Sequence, residues 1–96
     1  MFTREWTQYE PETAAVWTAL ESVLTPAQCD AFMFMGLAPG DPAIYLYKHR
    51  GGRRYLNVDA MGNCYQYVVS LSGEGQVIGG YYRPQDRADA LAHALN

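Results

Sequence analysis

The sequence predicts an α+β domain of element order ααββββα, a four-stranded antiparallel meander with two helices before it and one after. Apolar residues recur at helical spacing through the first 41 positions, and from Ala43 to Tyr82 the period changes to two. The period-two runs are rich in β-branched and aromatic residues, and a short glycine-containing turn separates each from the next. Because the strands are consecutive, the sheet is expected to be antiparallel with its helices packed on one side.

The elements follow in order. Pro11-Glu12 supplies a first helical turn, after which Val16, Leu20 and Val23, with Ala19 and Leu24, form an inward stripe. Phe2, Trp6 and Tyr9 precede it at spacings that suit a short helix or an arm laid across the core. Thr25-Pro26-Ala27-Gln28 has the pattern of a capping box and opens a second helix, with Cys29, Phe32 and Met33 inward and Gly36 as its left-handed C-cap. The prolines of Ala38-Pro39-Gly40-Asp41-Pro42 forbid its continuation. Strands are expected over 43–49, 54–59, 64–71 and 76–82. Pro84 opens a last helix, with Ala88, Leu91, Ala92 and Leu95 on one face. Gly79-Gly80 marks a bulge or a place where a ring approaches the backbone.

Loop parity decides which residues share a face. A three-residue loop at 60–62 pairs Val58 with Cys64, and the same loop class at 50–52 pairs Leu46 with Leu56 and Ile44 with Val58. Ile44, Leu46, Leu56, Val58, Cys64 and Val68 then form the core face. Tyr45, Tyr47, His49, Arg53, Tyr55, Asn57, Asp59, Tyr65 and Tyr67 collect on the opposite face. A two-residue Gly51-Gly52 turn would instead set Asn57 and Asp59 opposite Ile44 and Leu46. Burying those groups without partners costs roughly 1 to 3 kcal/mol each, which favours the odd loop.

Ninety-six residues make one domain, 1–96, and 49% hydrophobic content with 18% charged residues is that of an ordinary globular protein. No run is long enough for a membrane span and the amino terminus has no apolar signal region, so a cytoplasmic protein without membrane contact is expected. Cys29 and Cys64 read as two buried thiols. Lys48, Arg50, Arg53 and Arg54 form a basic hairpin on an otherwise acidic chain of net charge −3.

The chemistry follows from the tyrosine face. Five tyrosines on one side of a sheet exceed the apolar patch that a monomer leaves exposed, which points to a non-enzymatic binding or interaction module. Its expected site is Tyr45, Tyr47, His49, Arg53, Tyr55, Asn57, Tyr65 and Tyr67, and its expected partner is another protein or a second copy of the chain. The first alternative is single-stranded nucleic acid, with bases stacked on the rings and phosphates held by the Lys48 to Arg54 hairpin; the net negative charge weighs against it. The second is a small enzyme of unknown chemistry. No catalytic residue, metal site or cofactor is expected: no histidine stands in a nucleophile motif, and His49 and Cys64 fall on opposite faces in this register.

Overall fold

Five strands, rather than four, build the antiparallel meander, in the spatial order β1-β2-β3-β4-β5. The computed structural model describes residues 13–95, with side chains from residue 16 onward. The expected Phe2, Trp6 and Tyr9 arm and the Pro11-Glu12 helix start lie outside the described residues. Helix α1 (Thr13–Glu21) and the single turn α2 (Pro26–Cys29) lead into β1 (Phe32–Ala38), β2 (Ile44–His49), β3 (Tyr55–Asp59), β4 (Cys64–Leu71) and β5 (Val77–Gln85), and α3 (Arg87–Leu95) closes the chain. The α+β class, the meander and the helices on both sides of it in sequence are as expected.

The additional strand comes from the segment expected to continue the second helix. The capping box does form: Thr25 Oγ1 accepts from the Gln28 amide and Gln28 Oε1 from the Thr25 amide. One turn later the chain becomes extended. Phe32 buries its ring edge-on to His49 at 5.1 Å, and Arg50 N–H donates to the Ala31 carbonyl, so the run pairs along β2. An uncovered β2 edge has a row of backbone groups to satisfy, and an aromatic-rich run satisfies them better as a strand than as a helix. Gly36 does adopt positive φ (145°), but at a β-bulge opposite Leu46 rather than as a C-cap.

Pro84 likewise lies in a strand. It sits near the end of the edge strand β5, where its missing N–H costs no ladder bond, and Asp86 caps α3 instead by accepting from the Asp89 amide. The inward face of α3 is accordingly rotated. Ala90 and Ala94 are buried, with Leu91 and Leu95 beside them, whereas Ala88 and Ala92 are exposed.

The loops decide the register. Those at 60–62 and 73–75 are three-residue turns closed by Gly62 and Gly75 at positive φ, and the first pairs Val58 with Cys64 as expected. The loop at 50–53 has four residues. His49 N–H donates to the Arg54 carbonyl, Arg53 occupies the left-handed region at φ 63°, and His49 Nδ1 accepts from the amides of Gly51 and Gly52. An even loop pairs Tyr47 with Leu56, Tyr45 with Val58 and Leu46 with Asn57. Tyr45, Tyr47 and His49 therefore turn to the helix side, and Ile44 and Leu46 join Asn57 and Asp59, the reverse of the expected arrangement.

The polar burial that counted against this register is largely satisfied internally. Asp59, 2% exposed, accepts from the amides of Met61 and Asn63, the Asn63 side chain and the Tyr65 hydroxyl. Tyr47, fully buried, donates its hydroxyl to the Val16 carbonyl. A penalty assessed for unpaired groups does not apply to paired ones.

The core lies between the sheet and α1 with α3. Trp17 and Leu20 from α1, Phe32, Tyr47, Leu56, Val58 and Cys64 from the sheet, and Ala90 and Ala94 from α3 form one cluster. Tyr47 is central, with Trp17 and Phe34 rings at 5.8 and 5.7 Å. Both cysteines are buried thiols outside any disulfide, as expected, and burial pushes the Cys64 thiol up despite the nearby Arg87.

Candidate functional site

The sheet is not uniformly closed. β2 and β3 pair along five residues and β4 and β5 along eight, but β3 and β4 pair only at Asn57 with Tyr65 and Val58 with Cys64. Beyond those two pairs the central strands part, so the sheet splits into a β1-β2-β3 arm and a β4-β5 ribbon. Between them is a cleft of about 550 Å³, within the roughly 300 to 1,000 Å³ of small-molecule sites.

Asn57 and Tyr65 stand at the apex of the cleft. Arg53, Arg54 and Tyr55 line it from the β3 arm and Tyr67 and Tyr82 from the ribbon. Leu46, Gln66, Gln85 and, from α3, His93 complete the lining. The apex is held rigidly because Tyr65 donates its hydroxyl to Asp59 at 2.7 Å. That bond pushes the Tyr65 phenol up to about 12. Burial acts to raise the Asp59 carboxyl, but the bonds from Tyr65, Asn63 and Met61 outweigh it and hold the group below its ordinary value.

Asn57 is less well provided for. Its Nδ2 donates to the Tyr65 carbonyl at 3.2 Å, yet Oδ1 is buried without a hydrogen bond although the residue is only 5% exposed. On the ribbon, the Tyr67 ring lies over Gly80, where a Cβ would stand 2.3 Å from its hydroxyl, and packs on Tyr82 at a centroid distance of 4.8 Å. Gly80 is thus the close approach expected of the glycine pair, and Gly79 (φ 155°) lies at the register shift opposite Ser70 and Leu71. Lys48 Nζ stands 5.7 Å from the Tyr55 ring centre.

Of the eight expected site residues, Arg53, Tyr55, Asn57, Tyr65 and Tyr67 come together in the cleft. Tyr45, Tyr47 and His49 do not, because the four-residue loop turns them to the helix side. His49 and Cys64 consequently share a face, contrary to expectation, but at opposite ends of it. His49 adjoins the 50–53 loop with Nδ1 committed to that turn, and Cys64 adjoins the 60–62 loop. Tyr82, Gln85 and His93 were not anticipated. A three-residue 73–75 turn by itself sets Tyr81 opposite Tyr67, and only the register shift at Ser70 and Leu71 brings Tyr82 there.

A second surface lies farther along the ribbon. Val69, Leu71, Val77, Ile78 and Tyr81 are between 49% and 68% exposed, and β5 is an edge strand. Among the described residues no three of His, Cys, Asp and Glu converge as metal ligands, and no helix is long and apolar enough to cross a membrane. Comparison with known families, curated proteins and solved structures gives no match, so the functional reading rests on this geometry.

Proposed function

We propose that the protein is a non-enzymatic interaction module that pairs with a second copy of itself through the β4-β5 ribbon. The observation that carries this reading is the exposure of Val69, Leu71, Val77, Ile78 and Tyr81 on one two-stranded element. Val69, Leu71 and Val77 lie on one face of the ribbon and Tyr81 on the other, so both faces carry apolar side chains of a kind that a partner would cover. The edge also lacks the usual protection. Between Cys64 and Tyr82 the only charged residue is Glu74, at the hairpin tip, so the flanks carry none of the lysines that discourage edge pairing.

Apart from Glu74 at the tip and Arg83, whose guanidinium donates to Gln66, the ribbon carries no charge, so it offers little for a strongly charged partner to recognise, whereas it complements itself. Antiparallel β5 to β5 contact about a two-fold axis would satisfy the open backbone groups and bury the apolar side chains together. Two buried cysteines outside any disulfide fit a reducing compartment such as the cytoplasm. Light scattering at high micromolar concentration should give twice the chain mass. The double substitution Val77→Lys and Ile78→Lys, at exposed positions, should return the mass to that of one chain while leaving the thermal midpoint of the monomer nearly unchanged. A wild-type monomer at that concentration, or a dimer indifferent to the substitutions, would refute this reading.

A further inference from the structure

We propose that the cleft between β3 and β4 binds a small anion built on a planar heteroaromatic ring with an N–H or NH₂ donor, of the size of a nucleoside monophosphate. This site is separate from the proposed β5 pairing surface and does not depend on it.

The apex specifies a donor. Asn57 Oδ1 is buried without a hydrogen bond while one N–H of Nδ2 is donated to the Tyr65 carbonyl, so the oxygen of this side chain is open to a donor. An acceptor left in that state is costly to the free protein, and a ligand N–H that meets it recovers the lost bond. The walls specify a planar body. Tyr55 on one arm and Tyr67, backed by Tyr82, on the other present aromatic rings across the opening. Such rings stack flat ligands irrespective of their exact sequence of ring atoms.

The mouth specifies a negative charge. Arg53 and Arg54 line the cleft beside the 50–53 loop, and Asp59 stands behind the apex with its carboxylate committed to four hydrogen bonds. The field therefore runs from negative at the closed end to positive at the open end, which orients a ligand with its donor inward and its anion outward. Arg53 also holds a left-handed backbone position directly after two glycines, a conformation glycine would adopt at less cost.

Two sources share this chemistry, nucleotides and aromatic nitrogen heterocycles that carry a carboxylate. The test is titration calorimetry of the full chain at low salt with adenosine monophosphate, adenosine, inorganic phosphate and indole-3-acetate. Saturable binding of adenosine monophosphate or indole-3-acetate, at least about tenfold tighter than adenosine and with phosphate alone not saturating, is expected; the tighter of the two identifies the source. Arg53→Gln, on the exposed loop, should weaken binding of the anionic probe about tenfold and leave adenosine unaffected. Asn57→Leu should abolish saturation while holding or raising the thermal midpoint, because the orphan acceptor is removed. If neither anionic probe saturates, or if Arg53→Gln binds both as wild type does, the proposal fails. Saturation of Asn57→Leu at wild-type strength would likewise overturn the proposal, because the apex acceptor would then play no part in binding.

Discussion

Tyr47→Ala should destabilise the protein by about 3 to 5 kcal/mol, the cost of removing a large aromatic side chain from a packed core. Tyr47 has no exposed surface, packs against Trp17 and Phe34, and donates its hydroxyl to the Val16 carbonyl of α1. Its loss opens a cavity between sheet and helix and leaves that carbonyl without its partner. Tyr55→Ala, one residue removed in pairing and 42% exposed on the other face, should cost under about 1 kcal/mol. Urea denaturation of the two variants separates them. Comparable losses, or a larger loss at Tyr55, would place Tyr47 outside the core.

Asp59→Ala should cost about 2 to 4 kcal/mol, because two loop amides, the Asn63 side chain and the Tyr65 hydroxyl all lose their acceptor at a site almost without solvent. The pair also sets the pH range of stability. The Asp59 carboxyl is held below its ordinary value of 3.8, so its contribution is complete above that pH and is lost as pH falls through the lower, folded value. Tyr65 is shifted upward from 10.0 to about 12, so the folded state favours its neutral form. Stability from that phenol is complete below pH 10 and is lost as pH rises toward 12. The urea midpoint followed against pH should fall at both ends, and Tyr65→Phe should flatten the alkaline side. A Tyr65→Phe variant that keeps the alkaline loss would detach it from the Asp59 bond.

The parts of the fold that sequence conveyed are those decided locally. The capping box at Thr25, the turn closed by Gly62, and the bounds of β4 depend on residues a few positions apart, whose conformational preferences act whatever surrounds them. Phe32 to Ala38 was misread because its fate depends on a distant requirement, the open edge of β2, and an apolar run of that length is compatible with either helix or strand. The register error at 50–53 has a related cause. It rested on the cost of burying Asn57 and Asp59 unpaired, and the partners that remove most of that cost, Tyr65 and the 61–63 backbone, are supplied only by the folded hairpin. The candidate site was legible on β3 and β4, where the loop parity was read correctly, and lost on β2, where it was not. The cleft itself had no local signal, since it arises from where two strands stop pairing.

Everything said of the site depends on the pairing of β2 with β3, and cross-strand proton distances report it directly. With His49 and Arg54 forming the hydrogen-bonded pair that closes the loop, Lys48 with Tyr55 and Leu46 with Asn57 are non-hydrogen-bonded pairs, whose Cα atoms approach to about 4.5 Å. A nuclear Overhauser spectrum of the labelled protein should therefore show strong Hα to Hα cross-peaks between Lys48 and Tyr55 and between Leu46 and Asn57. Cross-peaks joining Tyr47 with Tyr55 or Leu46 with Leu56 in their place would return Tyr47 to the open face, take Asn57 away from Leu46, and contradict the account.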